Sequence, residues 1–412
     1  MCYLLYFALM KKILLLLLIL PFWVLGQTAT ENYIKTTTYK GAGATLPQIQ
    51  ISYFDGLGRP IQQVAVGQSA TGKNIVTPIE YDAFGRQVKE YLPYSSGVSD
   101  LEFVPNPMGI LVPFYQTDAY QNTQNPYSEK RFEASPLNRV LEQAAPGNDW
   151  SLNNPDKHTI KFDYQTNNSN EVKLFKATAD GTNYNTLGYY NPLLTDNGFY
   201  DSNQLYKTIT YDENTAANPT EGNGATVEFK DKEGKVVLKR TYNSTPPSGA
   251  GGLHDTYYVY DQYGNLTFVL PPLVDTNQMI SNSVLDGLCY QYKYDYRNRL
   301  VEKKLPGKQW EFIVYDKLDR VVATGPAYSP FVDLQSQTPA PIGWLITKYD
   351  CFNRPVYTGW SMASNIDTTE RKNIQSALNN LTSFSESKTT SGTIDGIAVF
   401  YTNAISVTPG TF

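Results

Sequence analysis

The chain contains 412 residues, of which 41% are apolar and 18% are charged, a composition typical of a packed globular protein and unlike that of a disordered one. The formal net charge of −5 provides no basic surface of the kind that nucleic acid requires, so nucleic acid is not an expected partner. The 32 tyrosines, 29 glycines and 25 prolines favour short strands joined by turns over long helices.

The N-terminus has the pattern of a signal peptide. Lys11 and Lys12 precede an apolar run over residues 13–25, and the small residue Gly26 follows it. This run is shorter than the roughly 20 residues that span a bilayer. Residues 1–25 are together long enough for a membrane anchor if translation starts at Met1, but Met10 gives the better charged start. We therefore predict a signal peptide over residues 1–26 and an exported protein, extracellular or at the cell surface.

A six-residue pattern recurs along the chain: an aromatic residue, Asp, two variable residues, a turn residue and a basic residue. Six clear copies begin at Phe54, Tyr81, Tyr260, Tyr294, Tyr315 and Tyr349, and two weaker ones begin at Ala134 and Lys230. The second position is Ser135 in one copy and Asp in the other seven: Asp55, Asp82, Asp231, Asp261, Asp295, Asp316 and Asp350. The fifth position holds only residue types that tolerate positive φ: Gly58, Gly85, Asn138, Gly234, Gly264, Asn298, Asp319 and Asn353.

This spacing predicts that each copy is the tip of a β-hairpin. Asp or Ser followed three residues later by Gly is typical of a type I turn, and a left-handed residue after such a turn gives the common three-residue hairpin loop with a bulge. The Asp carboxylate is suited to accept hydrogen bonds from the turn amides. We interpret the aromatic first position as packing between neighbouring strands. The basic residues of the sixth position, Arg59 and Arg86 among them, are expected to cover apolar surface and pair with carboxylates.

The repeated hairpins resemble the YD repeats of bacterial RHS proteins, which are similar to those of insecticidal toxin-complex C subunits and of teneurins. The resemblance covers residues 50–360 in patches. Within it, residues 50–100 resemble an uncharacterised domain that precedes YD repeats in bacterial surface proteins, through the stretches 52–60, 80–87 and 91–94. The resemblance implies an antiparallel ribbon that spirals into a hollow shell around a C-terminal toxin or effector.

The family's C-terminal core, with its Asp-Pro-x-Gly self-cleavage motif, does not occur in this sequence, and eight hairpins are too few to close a large shell. We therefore expect the chain to be the N-terminal part of a longer protein, and the alternative is a short, degenerate member. The predicted fold is all-β, an open or partial shell or spiral of hairpins. One short helix is predicted near the C-terminus, over residues 368–381.

The predicted organisation has five parts. After the signal peptide come an N-terminal β domain over residues 27–150 that carries the first hairpins, and a β-rich insert over residues 151–255. A YD-repeat hairpin region follows over residues 256–360, and residues 361–412 hold the short helix and a truncated continuation. The two cysteines outside the signal region, Cys289 and Cys351, are too few for a disulfide framework, and the sequence leaves open whether they pair.

No residue pattern indicates a catalytic, cofactor or metal site. The only histidines, His158 and His254, lack a second ligand at metal-binding spacing and are predicted to lie in surface loops. The sequence around Ser361 lacks the second glycine of a nucleophile elbow. We therefore predict that the protein is not an enzyme, although a hydrolase with carboxylates facing across a cleft stays a minor alternative.

The sequence thus favours a non-enzymatic structural β-ribbon that encapsulates or displays other chains, as part of a polymorphic-toxin or cell-surface protein. Its expected partners are the remainder of a longer chain or a toxin or effector cargo. The alternative function is a surface adhesion module that binds glycans through rows of tyrosines. The accessibility of the entrance tyrosines distinguishes the two functions: Tyr81, Tyr260, Tyr294, Tyr315 and Tyr349.

Overall fold

The computed structural model describes residues 31–405, apart from residues 42, 44–45, 98, 100–101, 157, 223, 243–251, 331–340, 364 and 395. The predicted signal peptide lies outside the described residues. The chain divides into two compact units, one formed by Met1–Phe162 with Tyr211–Pro219 and the other by Asp163–Thr210 with Thr220–Phe412. None of the helices in the described ranges is both long enough and apolar enough to cross a membrane.

The first unit contains two antiparallel ladders. One follows the order β1 (Asn32–Thr38), β2 (Gln48–Phe54), β3 (Pro60–Ala65), β4 (Ile75–Pro78) and β6 (Tyr94–Ser95). The other follows the order β5 (Lys89–Tyr91), β7 (Tyr127–Phe132), β8 (Val140–Ala144) and the start of β9 (Ile160–Thr166). Helix α1 (Met108–Tyr115) and two 3₁₀ turns, Asp118–Tyr120 and Asn148–Trp150, lie in the loops. Alternate strand residues such as Ile51, Tyr53 and Val64 are buried with Leu111 of α1.

The second unit is built on a long antiparallel sheet whose strands follow chain order. They are β12 (Tyr206–Tyr211), β13 (Ala225–Lys230), β14 (Val236–Tyr242), β15 (Leu253–Tyr260), β16 (Leu266–Leu270), β17 (Tyr290–Tyr294), β18 (Leu300–Lys304), β19 (Glu311–Tyr315), β20 (Val321–Tyr328), β21 (Ile342–Tyr349) and β22 (Pro355–Met362). Two separate pairs accompany it: β10 (Lys173–Asp180) with β11 (Asn191–Phe199), and β23 (Lys388–Ile394) with β24 (Ile397–Tyr401). Its helices are α2 (Tyr184–Leu187), α3 (Asn282–Leu288) and α4 (Thr368–Asn379).

Helix α4 packs against the long sheet and closes part of its apolar surface. The helix begins at an N-cap, where the Asp367 carboxylate accepts a hydrogen bond from the Glu370 amide over 2.9 Å. Ile374 and Leu378, four residues apart on one face, are buried with Val314 and Trp344. The helix therefore contributes its apolar stripe to the same core as strands β19 to β21.

The predicted all-β antiparallel fold is confirmed, and the helix predicted near the C-terminus is found over Thr368–Asn379. Helices α1, α2 and α3 were not predicted. Each spans only four to eight residues, which is too short for a periodic apolar pattern, and α1 contains Pro113. The prediction of a surface loop for His254 is wrong, because this exposed residue lies in strand β15. Cys289 is buried, Cys351 is exposed, and both are free thiols. The five-part organisation stays a prediction.

Candidate functional site

The eight repeat copies share one backbone geometry at their turns. The fifth residue of each copy is left-handed, with φ between 53° and 84°, whether it is glycine, asparagine or aspartate. In the copy at 54–59, the Gly58 amide donates to the Asp55 carbonyl over 3.0 Å, and the Asp55 amide donates to the Arg59 carbonyl over 2.9 Å. A register shift between Tyr53 and Phe54 marks the accompanying bulge. We call this unit a tip turn.

Within a tip turn the Asp carboxylate holds the loop with both oxygens. Asp316 Oδ1 accepts from the amides of Leu318 and Arg320 over 2.9 and 3.0 Å. Its Oδ2 accepts from Arg320 Nε over 2.7 Å. The two-amide pattern at Oδ1 occurs in all seven copies with Asp at the second position. The carboxylate is thus an internal brace of the turn.

The eighth copy replaces this brace with a carboxylate from another position. Ser135 stands where the others have Asp, and its hydroxyl donates to Glu133 Oε1 over 2.7 Å. Glu133 Oε1 also accepts from the Arg139 amide over 3.2 Å, and Oε2 accepts from Arg139 Nε over 2.9 Å. Ser135 Oγ accepts from the Leu137 amide over 3.2 Å, so Ser135 and Glu133 together supply the oxygen atoms that Asp supplies elsewhere, a substitution that the sequence pattern did not reveal.

Successive tip turns are joined by a contact that the sequence analysis did not predict. The entrance tyrosine of one hairpin donates its hydroxyl to the carbonyl that follows the sixth position of the preceding hairpin. The pairs are Tyr81 with Pro60 at 3.0 Å, Tyr260 with Val236 at 3.1 Å, Tyr294 with Leu266 at 2.9 Å, Tyr315 with Leu300 at 2.8 Å, and Tyr349 with Val321 at 2.7 Å. We call this bond, together with the cation contacts described next, the inter-hairpin lock.

The sixth-position cation completes the lock. The Arg320 guanidinium lies 4.8 Å from the centre of the Tyr349 ring, and the Arg299 guanidinium lies 4.7 Å from that of Tyr315. Each also reaches the fifth residue of the next turn: Arg299 Nη1 donates to Asp319 over 2.8 Å, and Arg320 Nη1 donates to Asn353 over 3.0 Å. One side chain thus holds both its own turn and the next one.

The entrance tyrosines consequently do not present free faces. All five are intermediate in exposure, their hydroxyls are bonded, and cations cover four of their rings, those of Tyr81, Tyr260, Tyr315 and Tyr349. Apart from Tyr296 at a third position, the exposed aromatic and aliphatic groups of the turns belong instead to the fourth position: Leu57, Phe84, Leu137, Tyr263, Leu318 and Phe352. The recurrence of tyrosine in one copy and a cation in the copy before it was the available sequence signal for the lock.

Glu133 gives the first unit a predicted dependence on pH. Its hydrogen bonds from the Arg139 guanidinium and the Ser135 hydroxyl lower its pKa to about 2, from an ordinary value of 4.5. Because the folded pKa lies below the unfolded one, this carboxylate stabilises the fold above pH 4.5, and the contribution disappears as the pH falls towards 2. We expect Glu133→Gln to be less stable than the wild type at pH 7, with a gap that closes between pH 4.5 and 2. Urea unfolding at each pH measures the gap, and a gap that stays constant over this range would contradict the prediction.

The other residues considered for catalysis or metal binding do not form a common site among the described residues. Among the described residues, no group of three or more His, Cys, Asp or Glu side chains is placed to hold a metal ion. His158 is exposed, with Nδ1 3.4 Å from the Glu213 carbonyl oxygen. Ser361 lies within strand β22 and not at a strand-to-helix turn. The tip turns are therefore the recurring arrangement that the sequence predicts and the structure shows.

The family profile of a domain of unknown function (DUF6443) matches residues 27–166. No curated protein matches the chain. Similar solved structures include a TcdB2-TccC3-Cdc42 crystal structure, at 15% identity over 81% of this chain with a TM-score of 0.47. Others are the TcdB2-TccC3 crystal structure, at 14% identity over 78% with a TM-score of 0.42, and the Photorhabdus luminescens Tc holotoxin pore with a mutated TccC3, at 14% over 77% with a TM-score of 0.43. The chain spans 14% of the length of each of these structures' chains.

Proposed function

We propose that the chain is a non-enzymatic, structural β-ribbon of an exported RHS-type protein with YD repeats, and that it encloses or displays a toxin or effector cargo or a later part of a longer chain. One observation carries the proposal: the tyrosine bond of the inter-hairpin lock occurs at five junctions between hairpins, with the hydroxyl on the same carbonyl each time, and a cation covers the tyrosine ring at four of them. A contact that repeats from hairpin to hairpin suits the extension of a wall, because each added hairpin meets the same surface as the one before.

The carboxylates of the repeat are engaged in structure, which supports a role without catalysis. A general base or a nucleophile needs an oxygen that is free to meet a substrate. In Asp55, Asp82, Asp295, Asp316 and Asp350, Oδ1 accepts two backbone amides and Oδ2 accepts the arginine of the same turn. These carboxylates are therefore committed to holding the hairpin tips.

Export is proposed from the sequence of residues 1–26, with its paired lysines, apolar run and small final residue. The exposed apolar side chains at the fourth position of the turns are available for contacts with other chains. Glycan binding through the entrance tyrosines is not proposed, because their hydroxyls and most of their ring faces are already engaged in the locks.

The proposal is tested on the native gene product purified from its own cells. We expect N-terminal sequencing to show a mature chain that starts near Gln27, recovered from the medium or the cell surface. We further expect mass spectrometry to detect a co-purified effector or a downstream segment that proteinase K digests only after the β-ribbon has been unfolded. A protein that is retained in the cytoplasm, or a cargo that is cut equally fast before and after unfolding, would overturn the proposal.

A further inference from the structure

A cleft of about 510 Å³ lies in the first unit, and none of the entrance tyrosines lines it. Two short loops form its walls, one around the 3₁₀ turn Asp118–Tyr120 and the other around the 3₁₀ turn Asn148–Trp150. Its volume falls within the range of about 300–1,000 Å³ that is common for small-molecule sites. Its lining includes Tyr115, Tyr120, Gln121, Asn148, Asp149 and Trp150.

Two aromatic side chains in this cleft are accessible to a ligand. Trp150 is 40% exposed and Tyr120 is 41% exposed, in contrast to Tyr115, which is 8% exposed and donates its hydroxyl to the Pro93 carbonyl over 2.5 Å. Tyr120 packs against Tyr115 at 4.9 Å between ring centres, and Trp150 packs against His158 at 5.8 Å. Each exposed ring is therefore held by a neighbour and still has surface available to a ligand.

Exposed polar side chains lie beside these rings. Within the described part of the chain, neither the Gln121 amide, the Asp149 carboxylate nor Trp150 Nε1 forms a side-chain hydrogen bond. The described residues that line the cleft include no lysine or arginine, and Asp149 is their only charged group. This lining disfavours phosphate, sulfate and other anions, and a purely apolar ligand would leave the amide and the carboxylate without hydrogen bonds.

The two loops are braced to each other, so the cleft is formed before a ligand arrives. The Gln124 amide donates to Asn148 Oδ1 over 2.8 Å, and Asn148 Nδ2 donates to the Asn122 carbonyl over 3.4 Å. Gln121 and Asn122 are both left-handed, with φ of 52°, a conformation that non-glycine residues seldom adopt in succession. Such pre-organisation lowers the entropic cost of binding.

We infer that this cleft is a binding site for a neutral oligosaccharide. A sugar ring presents an apolar C–H face to stack on Trp150 or Tyr120 and a rim of hydroxyls for the amide of Gln121 and the carboxylate of Asp149. A neutral sugar also needs no cation from the lining. The inference goes beyond the structural role proposed above and does not depend on it, since it concerns other residues of the first unit.

Isothermal titration calorimetry of the mature full-length chain with neutral hexasaccharides tests the inference, using cello-, xylo-, malto- and chito-hexaose as probes. We expect at least one to bind, Trp150→Ala to weaken that binding at least about tenfold, and Trp150→Phe to retain most of it. Asp149→Asn and Gln121→Ala should each weaken it by about three- to tenfold. Tyr263→Ala, which removes an exposed ring from the second unit, is the control and should leave the affinity unchanged.

Three results would overturn the inference: binding of none of the four hexasaccharides, binding that Trp150→Ala leaves intact, and binding of tetramethylammonium instead of a sugar. The last result would show that the aromatic rings and Asp149 form a site for a cation. Asp149→Asn keeps the side chain's shape, so it remains informative if the alanine variant folds poorly. Glycan binding without enclosure of a cargo, or enclosure without glycan binding, would separate this inference from the proposed function.

Discussion

Replacement of Glu302 by alanine is expected to lower the free energy of unfolding by about 3–5 kcal/mol, because it leaves two cations in the protein interior without their shared anion. Glu302 is fully buried in strand β18. Its Oε1 accepts from Arg371 Nε over 3.0 Å, and its Oε2 accepts from Lys293 Nζ over 3.1 Å and from the Thr368 hydroxyl over 3.2 Å. Arg371 belongs to helix α4, so this carboxylate fastens the helix to the sheet.

The surroundings of the two cations increase the expected cost. The Arg371 side chain is 1% exposed, and its Nη2 also donates to the Leu187 carbonyl. Lys293 Nζ lies 3.8 Å from the centre of the Trp310 ring and donates to the Tyr189 hydroxyl over 3.0 Å. These contacts hold the cations in place, and water has little access to compensate the loss of the carboxylate.

Glu311→Ala is the matched control for this prediction. Glu311 pairs with Lys303 over 3.0 Å on the neighbouring strand, but both side chains are 33% exposed, so its removal should cost at most about 1 kcal/mol. Urea unfolding of both variants measures the difference. Limited proteolysis of Glu302→Ala should also show earlier cleavage within Thr368–Asn379, because α4 is released first. Equal destabilisation by the two variants would contradict the prediction.

The second large effect is expected at the inter-hairpin lock. Replacement of Arg320 by alanine should lower the free energy of unfolding by about 3 kcal/mol, since it removes several charge-assisted hydrogen bonds from a site with little solvent. Arg320 Nη1 donates to the Asp350 carbonyl over 3.1 Å and to Asn353 over 3.0 Å, Nη2 donates to the Phe384 carbonyl, and the guanidinium covers the Tyr349 ring. Its side chain is only 9% exposed.

Arg354→Ala separates the lock from the turn itself. Arg354 holds Asp350 as Arg320 holds Asp316, each with Nε to Oδ2 at 2.7 Å. Its side chain is 63% exposed, however, and its further bond is a 3.5 Å contact from Nη2 to the Tyr401 hydroxyl. We therefore expect Arg354→Ala to cost about 1 kcal/mol, and the difference between the two variants to measure what the contacts of Arg320 with the next hairpin add to the turn. Thermal and urea unfolding provide both values, and equal losses would show that these cation contacts contribute nothing beyond the turn.

The turns could be predicted from the amino-acid sequence alone. Their geometry depends on five consecutive residues: Asp55 accepts from the amides of Leu57 and Arg59, and Gly58 adopts a positive φ at no steric cost. Helix α4 could be predicted for the same reason, because its cap at Asp367 and its apolar face at Ile374 and Leu378 are local patterns. The all-β fold follows from many such hairpins in succession.

Contacts between distant residues, in contrast, depend on how the strands and loops pack. Arg320 and Tyr349 belong to successive repeat copies, but the repeat pattern does not by itself show that they touch. Glu302 lies 69 positions from Arg371, and no sequence pattern relates them. The cleft of the first unit likewise depends on the Gln124 amide reaching Asn148, 24 positions away. Packing therefore gives aromatic side chains different roles. The entrance tyrosines are engaged by the neighbouring hairpin, whereas Tyr120 and Trp150 are accessible because two loops hold them at an open surface.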